Sequence, residues 1–157
     1  MKTIKNFITE KLIINKNTKV NIYHYYPKTL NELKTIVNKL IEERGENANL
    51  NDIDTSKITD MNRLFYKSKF NGDISEWDVS HVTNMIETFS YSEFTGKNGD
   101  ISNWNTKNVE KMSHMFDHSL YNGNISKWNV KNVKHIWMIN MFDNSPLEKN
   151  PPKWYKK

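Results

Sequence analysis

Four tryptophans recur along this chain at nearly constant intervals: Trp77, Trp104, Trp128 and Trp154 lie 27, 24 and 26 residues apart. Ahead of each stands a version of one run. The first copy reads Ile58-Thr59-Asp60-Met61, Leu64-Phe65, Phe70-Asn71-Gly72-Asp73-Ile74-Ser75 and Trp77. The second carries Val82-Thr83-Asn84-Met85, Phe89, Phe94 and Gly99-Asp100-Ile101-Ser102, with its extra residues at Thr95-Gly96-Lys97-Asn98. The third carries Val109, Met112, Met115-Phe116 and Tyr121-Asn122-Gly123-Asn124-Ile125-Ser126. The fourth starts at Val133, gains two residues around Ile136-Trp137, keeps Met138 and Met141-Phe142, and then decays into Pro146, Pro151 and Pro152. A unit of about 25 residues cannot bury its own apolar face, so such units are stable only when neighbours stack into one continuous core. With 36% apolar residues but 12% aromatic ones, that core is expected to be thin and ring-rich.

Within each unit, a short extended piece such as Asp78-Val79-Ser80 or Asn129-Val130-Lys131 places one apolar residue inward. The following Val, Met and Met-Phe at i, i+3, i+6 and i+7 fit one face of about two helical turns. Asn-Gly-Asp or Asn-Gly-Asn then reads as a turn in which Gly takes positive φ and the Asx side chains bond nearby backbone. The expected architecture is an α/β repeat: a short leucine-rich-repeat-like solenoid of stacked strand–helix units with an N-terminal hairpin-plus-helix cap.

The run V-T-x-M-x-x-M-F followed by F-N-G-D-I-S-x-W-D-V-S resembles the BspA-like leucine-rich-repeat family of bacterial surface proteins. The resemblance covers roughly residues 52–154. It implies a solenoid and a role in binding, usually to proteins.

Residues 1–50 are read as the N-terminal cap, 51–154 as the repeat array of about four units, and 155–157 as a frayed tail. In the cap, Leu30, Leu33, Ile36, Val37, Leu40 and Ile41 share one face of a helix over 29–44, with a Thr29/Glu32 capping box and Gly45 as its stop. Lys11–Ile14 and Lys19–Tyr23 read as two short strands joined at Asn15-Lys16-Asn17-Thr18.

Several classes fall away. No stretch approaches the length of a membrane span, so no membrane partner is expected. The first residues show no signal-peptide pattern, which points to the cytoplasm. There is no Cys. No P-loop, dinucleotide fingerprint or G-x-S-x-G elbow is present, so neither an enzyme nor a cofactor is expected. Glu110, His114 and His118 are spaced i, i+4, i+8, a spacing that places two imidazoles on one helical face for zinc. However, Arg63 and Glu87 fill the positions equivalent to His114, so the column reads as a variable exposed one and no metal is assigned. Asp54, Asp78, Asp73 and Asp100, with Asn105, Asn129 and Asn124 in the same columns, are read as turn residues rather than as calcium ligands.

The net charge of +5 is segmented: +4 over 1–50, −2 over 51–78, −2 over 79–104 and +5 over 105–157. This suits a protein partner with its own charge pattern better than a nucleic acid. The columns beside the inward strand residue form the expected contact face, with His81, Lys107, Asn108, Lys131 and Asn132 as candidates. Trp137 sits in the insertion of the last unit beside Lys134 and His135. It is read either as an exposed interface anchor with those two or as filling for the cap. The expected function is therefore non-catalytic recognition of a protein. Two alternatives stand beside it: a small mobile-element inhibitor (anti-CRISPR type) acting on a bacterial defence nuclease complex, and RNA or DNA binding through the basic ends.

Overall fold

The computed structural model describes residues 22–156. The two short strands expected at 11–14 and 19–23, and the turn between them, lie wholly or mostly outside those residues. The strand–helix solenoid is not what forms. Among the described residues there is no strand and no sheet, only single parallel bridges such as Asp60 to Asn84 and Asn84 to Lys111. Two helices occur among the described residues, α1 (Leu30–Arg44) and α2 (Pro146–Lys149), with a 3-10 turn at His135–Trp137. The repeats are instead coils built from successive turns.

The apolar spacing of three comes from those turns. The amides of Ile58, Leu64, Trp77 and Val82 donate to the carbonyls of Thr55, Met61, Ile74 and Val79, each three residues back. The same step recurs at Trp104–Ile101, Val109–Thr106, Met115–Met112 and Trp128–Ile125. A turn closed this way brings residues i and i+3 close together, and both ends of these turns point inward and are buried. A helix gives the same i, i+3 pattern, which is why the sequence alone reads as helical.

The expected helix is broken at definite positions. Arg63 and Lys67 have φ of 54° and 55°, and the pair recurs as Glu87/Tyr91, His114/His118 and Asn140/Asn144. A left-handed residue every fourth position prevents the i to i−4 ladder of a helix and the pleat of a strand. Alternate amides point out of the coil to the next one. Those of Met61, Arg63, Phe65 and Lys67 donate to the carbonyls of Asn84, Ile86, Thr88 and Ser90 at 2.9–3.0 Å. The amides of Met85, Glu87, Phe89 and Tyr91 donate likewise to Lys111, Ser113, Met115 and Asp117. This segment of each coil forms a ridge of the stack.

Inside, the side chains form columns. Phe65, Phe89, Phe116 and Phe142 stack face to face with centroids 5.4, 5.5 and 5.9 Å apart. Phe70, Phe94 and Tyr121 make a second column at 6.2 and 5.8 Å. The indoles make a third: Trp77, Trp104, Trp128 and Trp154 each donate Nε1–H to a carbonyl of an earlier layer, those of Leu50, Ile74, Ile101 and Ile125.

The Asx residues do bond the backbone two residues on. Asp54, Asp73, Asp78, Asp100, Asn105, Asn124 and Asn129 accept from Ser56, Ser75, Ser80, Ser102, Lys107, Ser126 and Lys131. The glycines of Asn-Gly-Asp behave differently from expectation. Only Gly45 and Gly96 have positive φ. Gly72 is required by close approach instead, since a Cβ there would lie 2.0 Å from the Ala48 carbonyl oxygen.

The stack begins within the residues assigned to the cap. Tyr25 bridges Ile53, and Ala48 accepts from the Asp73 amide. Residues 24–50 are thus a further coil in which α1 takes the place of the turn ridge. Leu33, Val37 and Leu40 of α1 join the common core. At the other end, Tyr155, expected to fray, sets its ring edge-on against Phe142 at 4.8 Å.

Candidate functional site

The side chains at the left-handed positions point away from the core and form the outer surface of the ridge. Glycine is the least strained residue at positive φ, and other residues there cost about 1–2 kcal/mol each. Arg63, Lys67, Glu87, Tyr91, His114 and His118 occupy these positions in the first three coils. Each trades backbone ease for a long polar or aromatic side chain held at a fixed spot.

Those side chains connect into one surface network. Arg63 grips Glu87 with two bonds, Nε to Oε2 at 2.8 Å and Nη2 to Oε1 at 3.0 Å. Glu87 in turn holds the guanidinium above its ordinary pKa. The Arg63 guanidinium lies 4.9 Å from the Tyr66 ring centroid, and Lys67 Nζ lies between the rings of Tyr66 and Tyr91 at 5.2 and 5.7 Å. Tyr91 stacks on His118, centroids 4.3 Å apart and planes 7° apart. Asp117 then bridges two imidazoles, at 2.6 Å from His118 Nδ1 and 3.4 Å from His114 Nδ1. Tyr91 is 46% exposed and the His118 side chain 41%. Two flat rings thus stand at the surface without a cover.

The two histidines weighed for zinc do converge, but on a carboxylate that bonds both. Glu110 does not complete a set, and among the described residues no group of three potential ligands forms.

The residues singled out by sequence divide among separate places. Lys107 and Lys131 are exposed, as expected. Asn108 and Asn132 are also exposed, yet each side-chain amide is already used: Nδ2 donates to the carbonyl of Ser80 at 2.6 Å and of Lys107 at 2.7 Å. They tie one coil to the previous one. His81 lies beside Ser80, with Nδ1 3.2 Å from Oγ. Burial pushes the neighbouring Asp78 carboxyl up, but the Ser80 hydroxyl and amide and the nearby His81 together hold it below its ordinary value. The insertion becomes the 3-10 turn, and Trp137 is half-buried with Lys111 Nζ 5.0 Å from its ring centroid. Asn132, Lys134 and Trp137 share an open groove with Glu110 and Lys111, whereas His135 lines a different groove.

Sequence reasoning missed Tyr91 and Lys67 as surface residues of one site. The available signal was the column itself: Lys67, Tyr91, His118 and Asn144 fall at equivalent positions with no common chemistry, which marks side chains facing outward. The stacking between successive columns was not available from spacing.

No helix among the described residues is long and apolar enough to cross a membrane. No curated protein and no solved structure matches the chain. Residues 32–154 match the family described as "Mycoplasma protein of unknown function, DUF285", and the chain belongs to that family.

Proposed function

We propose that this chain is a non-catalytic protein-binding module of the kind the BspA-like resemblance implies, and that it binds through the left-handed ridge. The observation that carries the reading is the exposed network from Arg63 through Tyr91 to His118, fixed on strained backbone. Aromatic rings and Arg are the side chains that contribute most at protein interfaces. A preorganised ridge loses little conformational entropy on binding. Charges of both signs lie along it, which favours a protein over a polyanion.

The test is affinity capture from cells producing the chain, with two double variants run beside the wild type. Tyr91→Ala with His118→Ala should abolish retention of the specific protein partner. Lys107→Glu with Lys131→Glu should leave it bound. If the second pair abolishes binding and the first does not, the ridge is the wrong surface. If the purified chain instead retains RNA or DNA with an affinity that falls steeply with salt, the class itself is wrong.

A further inference from the structure

Within each turn ridge, from Met61 to Lys67 and its equivalents, the backbone bonds to the next coil run in one direction, while flanking residues bond back: Thr83 donates to Thr59 and Glu93 to Ser68. The third coil shows it fully: the amides of Met112, His114, Phe116 and His118 donate to the carbonyls of Trp137, Ile139, Met141 and Asp143. A β-sheet edge exposes donors and acceptors in alternation. The last ridge of this stack exposes a row of donors instead. The equivalent amides there belong to Met138, Asn140, Phe142 and Asn144.

Two of the four are used internally. Met138 donates back to the His135 carbonyl at 3.0 Å. Asn144 donates to the Glu148 carboxylate, Oε2 at 3.0 Å. The amides of Asn140 and Phe142 meet no acceptor among the described residues. Phe142 lies under the edge-on ring of Tyr155, but Asn140 is exposed. Asn140 sits at the rim of a groove whose apolar part is Met138 and Ile139 and whose polar rim is His135, Asp143 and Lys156. Ile139 is 49% exposed and Ile136 64%.

We propose that this end of the stack is a docking edge for an extended acidic segment of a partner protein. The segment would supply a carboxylate or carbonyl oxygen to the Asn140 amide and an apolar side chain to Ile139. Three observations select that occupant. A ridge of donors cannot pair with its own copy across a two-fold axis, since amide would face amide, and the flanking carbonyls of Lys134 and Ser145 are already taken by the Trp137 and Glu148 amides. The neighbouring donor in the same row, Asn144, is already filled by a carboxylate. The last coil carries more basic than acidic side chains, with Lys134, Lys149, Lys153 and Lys156 against Asp143 and Glu148. The proposal extends the binding reading to a second surface, and the residues whose change should weaken it, Ile139 and Lys156, are not those of the ridge variants.

The experiment is an amide NMR titration of the full chain with a peptide of alternating Glu and Val, and with its Lys-Val counterpart. The Asn140 amide should exchange rapidly in the free chain. It should move downfield with the Glu peptide and stay unmoved with the Lys peptide. Ile139→Glu and Lys156→Glu should each weaken the Glu peptide by about tenfold, while Tyr91→Ala should leave it unchanged. The proposal fails if the Asn140 amide is already protected in the free chain, if both peptides bind equally, or if the Glu peptide leaves Asn140 unmoved. It also fails if the amide shifts with protein concentration alone, which would mark self-association.

Discussion

Tyr121 is the one member of its aromatic column that carries a hydroxyl, where Phe70 and Phe94 hold the equivalent places. That hydroxyl is buried and has no hydrogen-bond partner among the described residues. Burial pushes the phenol far above its ordinary pKa. A buried unpaired polar group costs about 1–3 kcal/mol. Tyr121→Phe should therefore raise stability by about 1 kcal/mol, seen as a higher urea midpoint with unchanged slope. The left-handed positions give a second test at this scale. At Lys67, φ 55°, glycine would relieve strain but add freedom to the unfolded chain, so the two effects oppose. Lys67→Gly should be near neutral, whereas Lys67→Val, β-branched at positive φ, should cost more than about 1 kcal/mol. Urea melts of the pair separate strain from the loss of the lysine.

At the scale of the element, α1 shows which local signals survive in the folded chain. Its start is Thr29, whose hydroxyl accepts from the Glu32 amide at 3.3 Å. Glu32 reaches back one residue further than a capping box requires, to the Lys28 amide at 2.6 Å. Gly45 ends the helix with φ 87°, its amide bonding the Ile41 carbonyl. The last turn is fixed to the first repeat by Arg44, which bonds both carboxylate oxygens of Asp52 at 2.9 Å, with His24 also on Asp52 at 3.2 Å. The Arg44 guanidinium holds the Asp52 carboxyl below its ordinary value. A carboxylate depressed in the folded state adds stability above its unfolded pKa, near 4. That stability is lost as pH falls through the folded value. Asp52→Asn should thus cost on the order of 1 kcal/mol at pH 7. The gap from wild type should close below about pH 4, measured by thermal melts across pH.

The whole molecule is a stack whose layers share backbone bonds and ring columns, so damage in the middle is felt on both sides. Phe116 touches Phe89, Phe142, Tyr121 and Trp128. Phe116→Ala should destabilise by about 3–5 kcal/mol, and calorimetry should show the coils melting together. Gly72→Ala tests the layer spacing. Its Cβ would collide with the Ala48 carbonyl oxygen, a backbone atom that cannot rotate away. A loss of several kcal/mol, on the order of 3, is expected.

The sequence alone determined that the chain is periodic, that Val, Met, Phe and Trp face one shared interior, and that α1 lies between a cap at Thr29 and a stop at Gly45. Those follow from spacing, volume and caps, which are local properties. It also marked the His114 column as outward-facing, because its members share no chemistry. Only the tertiary structure decided that each repeat is a coil of turns rather than a strand and a helix. Apolar residues three apart satisfy a helix and a chain of turns equally, and the difference lies in where the amides donate. In this chain they donate to the next coil, through a backbone that turns left-handed at Arg63, Lys67 and their equivalents. That partner is 23 residues away for Arg63 and Ile86, so no local window contains it. The surface stacking of Tyr91 on His118 and the Asn140 amide, which meets no acceptor among the described residues, follow from the same cross-coil bonding.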